Sequence, residues 1–255
     1  MKISVITVCF NSEKTIEDTI KSVQSQTYPD IEYVVIDGGS RDRTNEIIER
    51  YSDIVSIHVS EADEGLYDAM NKGIQKATGD VIGILNSDDF YENPSVITEV
   101  ISQFISKPES SLVFGDVVFV EPSNIEKIVR YYDSRKFKAW KLRFGWMPPH
   151  TASFIKRSAY KQVGNYSLDY RIAADYELFV RMLMVHKLSY TRMNKVLVRM
   201  SVGGLSTSGI KSSLLLNSEI VKACKCNGIY TNLFLVLLKI PLKLLERLKK
   251  PKDIA

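Results

Sequence analysis

The chain has 255 residues, 45% of them hydrophobic, so it can bury one large α/β core or a domain with an appendage, and it is not a disordered polymer. Its 34 Lys and Arg stand against 30 Asp and Glu, a formal net charge of +4, too small an excess to mark a nucleic-acid binder. Of its cysteines, Cys9, Cys224 and Cys226, the last two are too close for an ordinary disulfide and lack partners for zinc, which predicts free thiols and a reducing, cytoplasmic compartment.

Lys2–Phe10 is rich in Ile and Val and reads as a first strand rather than a cleaved leader, because its apolar run is short and carries a single Lys. Behind an N-cap at Asn11 or Ser12, Ile16, Ile20 and Val23 recur at helical spacing. The alternation continues with a strand at Ile31–Ile36, a helix at Thr44–Tyr51 and a strand at Ile54–Ser60. A helix at Leu66–Ala77 follows, with Leu66, Ala69, Met70, Gly73, Ile74 and Ala77 facing inward and Gly79 as its cap, and then a strand at Val81–Leu85. A helix from Ser95 to Ser106 and a strand at Leu112–Val120 complete this part. Strands alternating with helices predict an α/β fold with a Rossmann-like, mostly parallel sheet covered on both faces.

In such folds ligands bind outside the carboxyl ends of the strands. Here those positions are polar: Asn11 after the first strand, Asp37 after the second, Glu61 and Asp63 after the third, and Asn86, Asp88 and Asp89 after the fourth. Three acidic loops on one edge point to a shared cation or polar ligand rather than to solvated turns. A dinucleotide-binding turn needs glycines after the first strand, where this chain has CFNSEK, and no GxxxxGK[ST] phosphate loop occurs. Phosphates would then be neutralised by a divalent cation held by one or two carboxylates.

From Tyr131 onward aromatic and basic residues dominate YYDSRKFKAWKLRFGWMPPH, and a helix is predicted at Ala174–His186. Trp140 and Trp146 either stack on a ligand or fill core, and His150 either faces the site or bonds its own loop. The Gly203–Gly204 turn, followed by Ser206, either covers a ligand or ends a strand.

Five segments together resemble family 2 of the glycosyltransferases, the inverting GT-A type: ISVITVCFN, VVIDGGSRDRT, SEADEGLYDAMNKGIQKATGD, LNSDD and IAADYELFVRM, spanning residues 2 to 200. The resemblance implies a GT-A domain over residues 1–205, with a nucleotide-sugar half at 1–120 and an acceptor half at 121–205, followed by a helical extension at 206–255. It implies a UDP-sugar donor with Thr7, Phe10, Asn11 and Asp37 lining the nucleoside pocket. Asp37 would accept the uracil imide N–H, its alternative being an Asx turn over GGS. Asp63 would approach base or ribose, with Asn71 and Lys72 as weaker candidates. Asp88 and Asp89 stand where the family has its DxD motif for Mn²⁺ or Mg²⁺, although the order here is Asn-Ser-Asp-Asp. Asp89 is taken as the metal ligand, and Asp88 as the residue touching ribose or a metal-bound water. Asp175 is taken as the general base, where the family commonly has Glu-Asp and this chain has Ala174-Asp175. Its neighbour Glu177 is expected to be exposed, and His150 to lie near diphosphate or acceptor.

The tail TNLFLVLLKIPLKLLERLKK has no apolar run near the roughly 20 residues needed to span a bilayer. Lys239, Lys243, Arg247 and Lys250 form a basic stripe beside a Leu-rich face, as in interfacial helices; the alternative is packing on its own domain or on a second copy as a homo-oligomer. The expectation is a UDP-sugar hexosyltransferase acting on a glycan or lipid-diphosphate-linked sugar in O-antigen, capsule or exopolysaccharide assembly. It would be peripheral on the cytoplasmic face of the inner membrane. Rivals are a non-catalytic nucleotide-sugar or carbohydrate binder on the same fold and a sugar nucleotidylyltransferase.

Overall fold

A computed structural model describes residues 1–122, 124–202 and 210–239. The parallel part of the sheet is built from β1 (Ile3–Cys9), β2 (Ile31–Asp37), β3 (Ile57–Ser60) and β4 (Val81–Ile84), with β1 in the middle between β2 and β4 and β3 outermost. Every residue of β1 is buried, because the pleat sends Val5 and Cys9 to one core and Ile6 and Val8 to the other. A strand covered on both faces reads as a continuous apolar run, which is how the sequence displays it.

Helices α1 (Ile16–Gln24), α2 (Thr44–Glu49) and α4 (Val96–Ser106) cover one face through Ile16, Ile20, Ile47, Ile97 and Phe104. On the other, α3 (Leu66–Lys76) lies over β1 and β2 with Met70 and Ile74 inward. Leu66, expected inside, is exposed, and Tyr67 is buried in its place. Gly79 does not cap α3, which closes at Ala77. It serves a close approach instead: a Cβ there would fall 2.6 Å from the Ser4 amide nitrogen of β1.

Beyond β4 the sheet changes direction. Strand β8 (Ser153–Lys156) is antiparallel to both β4 and β6 (Leu112–Glu121), while β9 (Tyr190–Ser201) runs parallel to β6. Two strands that the periodicity did not suggest complete the nine: β5 (Asp89–Tyr91) pairs with β9, and β7 (Asn124–Tyr132) pairs with β6. Helix α5 (Arg157–Val163) follows β8, and α6 (Ala174–Val180) runs into a π-helical turn at Arg181–Val185. Helix α7 (Ile210–Cys226) packs on α6, and α8 (Leu233–Leu237) packs on a 3₁₀ helix at Ala139–Phe144. Gly203, Gly204, Ser206, the boundary at 205/206 and the basic stripe beyond Lys239 lie outside the described residues. Lys239 itself is 5% exposed and lies against Gly145 rather than on an open cationic face.

Because β1–β4 are parallel, their carboxyl ends share one edge. The register aligns Cys9 with Asp37 and Asp37 with Ser60, so the loops that follow are neighbours in space.

Candidate active site

The loops after β1 and β2 are strapped together. Asn11, at φ +49°, donates its amide to Ser40 Oγ at 2.7 Å and accepts the Arg41 amide on Oδ1 at 2.9 Å. Ser12 and Glu13 donate their amides to Thr44 Oγ1 and Asp42 Oδ2. Asp37 organises this edge from beneath. Its buried carboxylate accepts the Gly39 and Ser40 amides at 3.2 and 3.0 Å, the Ser40 hydroxyl, Asn45 Nδ2 at 2.9 Å and Ser60 Oγ at 2.6 Å. Burial pushes this carboxyl upward, but the donors of Ser40, Ser60 and Asn45 outweigh it and hold it below the ordinary range. The Asx-turn geometry is therefore present.

Asp63 closes over the same loop: its carboxylate occupies the space that a Cβ on Gly38 would need, and Oδ1 accepts the Gly65 amide at 2.8 Å. Phe10, at the exit of β1, is 61% exposed, a large apolar face left open at the sheet edge. Thr7 points into the core, where its hydroxyl accepts from Tyr33 at 3.1 Å. Lys72 is fully engaged with Ala62 O, Glu61 and Asp68.

The Asn86–Asp89 turn joins this group through Ser87, whose hydroxyl lies 2.9 Å from Ser12 Oγ. Asp88 is partly exposed, whereas Asp89, as the first residue of β5, is 1% exposed. Asn86 Nδ2 donates to Asp89 Oδ2 at 3.2 Å, and Asn86 Oδ1 is buried without a partner. Burial and the neighbouring Asp88 raise the Asp89 carboxyl well above its ordinary value, and burial raises Asp88. Two adjacent carboxylates destabilised in their charged form, beside an orphaned buried carbonyl oxygen, fit a hard divalent cation. Among the described residues no three His, Cys, Asp or Glu form a closed metal cage.

The second centre forms around Asp175 at the start of α6. Its Oδ1 accepts the Tyr67 hydroxyl at 3.3 Å and the Tyr176 amide at 2.7 Å. The single Tyr67 hydroxyl proton is shared with Ile172 O, the nearer acceptor at 2.6 Å, and the ring stacks on Tyr166 with centroids 5.6 Å apart. His150 Nε2 lies 2.7 Å from the Tyr166 hydroxyl. Asn71 fixes Tyr166 by bonding both its amide and its carbonyl at 2.9 Å. Burial raises Asp175, opposed by the charge of His150 and by the Tyr176 amide and Tyr67 hydroxyl; burial lowers His150, opposed by Asp175. A carboxylate whose basicity is raised by burial is a stronger proton acceptor than an ordinary one. Tyr67 stands two residues beyond Gly65, so the first turn of α3 connects this centre to the Asp63 loop.

Three features of this centre escaped the sequence reading. Tyr67 resembled one more helix residue. Glu177, expected to be exposed, is 5% exposed, pairs with Arg181 at 2.8 Å and accepts Asn227 Nδ2 at 3.0 Å. Glu219 on α7 accepts the Arg171, Ile172 and Ala173 amides, each at 2.9 Å. These amides lead into α6, whose N-cap Ala173 has no side chain to bond them, so a carboxylate from the C-terminal helix fixes the chain that enters α6.

The family model for Glycosyl transferase family 2 matches residues 4–164. An uncharacterized glycosyltransferase of Mycobacterium tuberculosis is 37% identical over 186 residues, 72% of this chain and 69% of the relative. A PGL/p-HBAD biosynthesis glycosyltransferase of Mycobacterium bovis is 30% identical over 218 residues, 83% of this chain and 82% of its own. Among solved structures, S. aureus TarS 1-349 in complex with UDP-GlcNAc superposes with a TM-score of 0.62 at 18% identity, covering 87% of this chain and 67% of its own. The mannosyltransferase PcManGT of Pyrobaculum calidifontis, in complex with GDP-Man and Mn²⁺, gives 0.65 at 17% identity, covering 96% and 72%. These two likenesses establish the GT-A fold. The chain belongs to glycosyltransferase family 2.

Proposed function

We propose that this family 2 glycosyltransferase moves a hexose, with inversion, from a UDP-sugar to a glycan acceptor. The acceptor is a sugar carried on a polyprenyl diphosphate during surface-polysaccharide assembly at the cytoplasmic face of the membrane. The observation that carries the reading is the presence of two distinct centres, an acidic turn suited to a cation and a separate carboxylate bonded by Tyr67 of the helix that follows the Asp63 loop.

In this reading Phe10, Asn11 and Asp63 meet the nucleoside, while Thr7 and Asp37 shape the edge from below. Asp89, with Asp88 beside it, would hold Mn²⁺ or Mg²⁺ together with the donor diphosphate. The bound ion would supply Lewis-acid stabilisation of charge on the leaving UDP. Asp175 accepts the proton of the acceptor hydroxyl as that oxygen attacks the anomeric carbon from the face opposite UDP. Tyr67 and the Tyr176 amide fix the carboxylate for that transfer, and His150 biases its charge. A UDP-bound and a Mn²⁺-bound structural neighbour support the donor and ion classes. A glucosyl-dolichyl phosphate glucuronosyltransferase of Haloferax volcanii, 28% identical over 122 residues, 46% of this chain and 39% of its own, supports a lipid-linked acceptor.

The test is a panel of UDP-sugars, with GDP-mannose as comparator, assayed for transfer to lipid-diphosphate-linked and free sugars, with and without EDTA. Transfer only from UDP donors, lost in EDTA, supports the reading. Full turnover in excess EDTA refutes the ion assignment, and exclusive use of GDP-mannose refutes the UDP assignment.

A further inference from the structure

Helix α8 is apolar at every position, outward as well as inward. It buries Val236, which lies against Gly145, and leaves Leu233, Phe234 and Leu237 exposed, with Leu238 just beyond; Phe234 is 71% exposed. The helix is nonetheless fixed. Asn232 Oδ1 accepts the Leu235 amide at 2.9 Å, and Thr231 Oγ1 donates to Arg143 O at 2.5 Å, tying α8 to the 3₁₀ helix. That helix presents Trp140, 55% exposed, with Lys141 Nζ 5.7 Å from its ring.

The surrounding sequence is strongly cationic. Arg135, Lys136, Lys138, Lys141 and Arg143 fall within nine residues, and the nearby Asp133 is taken by Arg135. Single exposed leucines need no explanation. A short helix that leaves apolar side chains outward after burying Val236, beside an exposed Trp and a cationic rim, has the composition of an interfacial anchor. Among the described residues no helix is long and apolar enough to cross a membrane. A second copy fits less well, since a two-fold interface would set this cationic rim against its own like charge.

We infer that α8 and the 3₁₀ helix together dock on the anionic headgroup layer of a lipid bilayer and orient the active site towards it. The 3₁₀ helix is tied to α6, which carries Asp175: Leu142 O accepts the hydroxyl of Tyr176. The inference deepens the proposed use of a lipid-linked acceptor and rests on it for its purpose. The docking itself is measurable without any transfer.

The test is co-sedimentation of the full chain with phosphatidylcholine vesicles and with vesicles that also contain phosphatidylglycerol, using the parent, Phe234→Glu and the double variant Lys138→Glu/Arg143→Glu. One cation near an anionic surface is worth about fivefold in partition, so the double variant should bind the anionic vesicles at least about 25-fold more weakly. Phe234→Glu should lose roughly tenfold or more, and both variants should retain parental transfer to a soluble acceptor. Parental vesicle binding by both variants overturns the inference. So does a chain ending at 239 that no longer binds while Phe234→Glu binds as the parent does, since the anchor is then the tail. Dissociation of a dimer by Phe234→Glu without loss of vesicle binding makes the face a contact between copies. If vesicle binding follows the expectation but no lipid-linked sugar is used, the docking stands and the acceptor reading fails.

Discussion

Removal of the Glu219 carboxylate tests whether the C-terminal helix sets the geometry of the Asp175 centre. Glu219→Ala leaves the Arg171, Ile172 and Ala173 amides without the partner that each holds at 2.9 Å. Arg171 is exposed and can turn to water, whereas Ala173 is fully buried and Ile172 partly so. An orphaned buried donor costs about 1–3 kcal/mol, so two of them give a loss of roughly 2–6 kcal/mol. Glu219→Gln keeps one acceptor oxygen and places an amide group opposite other amides, so it should lose less and remain folded. A start of α6 displaced by about 1 Å costs on the order of 10² in rate. Glu219→Gln should therefore lower kcat about ten- to a hundredfold while donor KM stays parental, because the donor edge shares none of these bonds. Urea unfolding gives the stability loss and steady-state kinetics the split between kcat and KM. Parental kcat in a folded Glu219→Gln variant refutes the positioning role. If Asp175→Asn is also fully active, the fault lies in the assignment of the base.

Asp175→Asn should fold, bind UDP with Mn²⁺ as the parent does, and lose about 10² to 10⁴-fold in kcat; retained kcat on a verified acceptor excludes Asp175 as the base. Exposed Glu49 is the proper control, with Glu49→Gln transferring normally, because buried Glu177 is committed to Arg181. Since burial raises Asp175 and the base acts ionised, kcat should climb with pH through a value above the ordinary carboxylate range. His150→Gln removes a charge that lowers Asp175 and should move this limb to higher pH; an unmoved or lowered limb contradicts the coupling. Asp89→Asn should weaken Mn²⁺-dependent UDP binding, measured by calorimetry, more than Asp88→Asn does, and small equal effects would return the pair to a structural turn.

The first half of the fold was legible because β1, β2 and β4 are buried on both faces and their helices carry clear apolar stripes. The three-residue β5 was not, since its pairing with β9 joins segments about a hundred residues apart and leaves no local period. The same limit applies to Tyr67 and Glu219. A helical tyrosine and a glutamate in a C-terminal helix look ordinary until the chain brings Ile172 and Asp175 against them. Asp37 shows the converse: its place at a strand end was readable, but its saturation by Asn45 and Ser60 depends on neighbours eight and 23 positions away.

The two centres differ in construction, and this difference decides what each can tolerate. The edge proposed to bind the donor is assembled from strand ends in fixed register, with loops tied by Asn11, Ser40 and Asp42, so its geometry follows from the parallel sheet itself. The Asp175 centre has no such frame: Tyr67 comes from α3, His150 from the approach to β8, and Glu219 from α7. Its position is the resultant of side-chain contacts from segments remote in sequence. Changes in the C-terminal helices should therefore reach transfer through Asp175 while leaving nucleotide binding intact. A Glu219 variant that lost UDP affinity in proportion to kcat would mean that the two centres are a single mechanical unit.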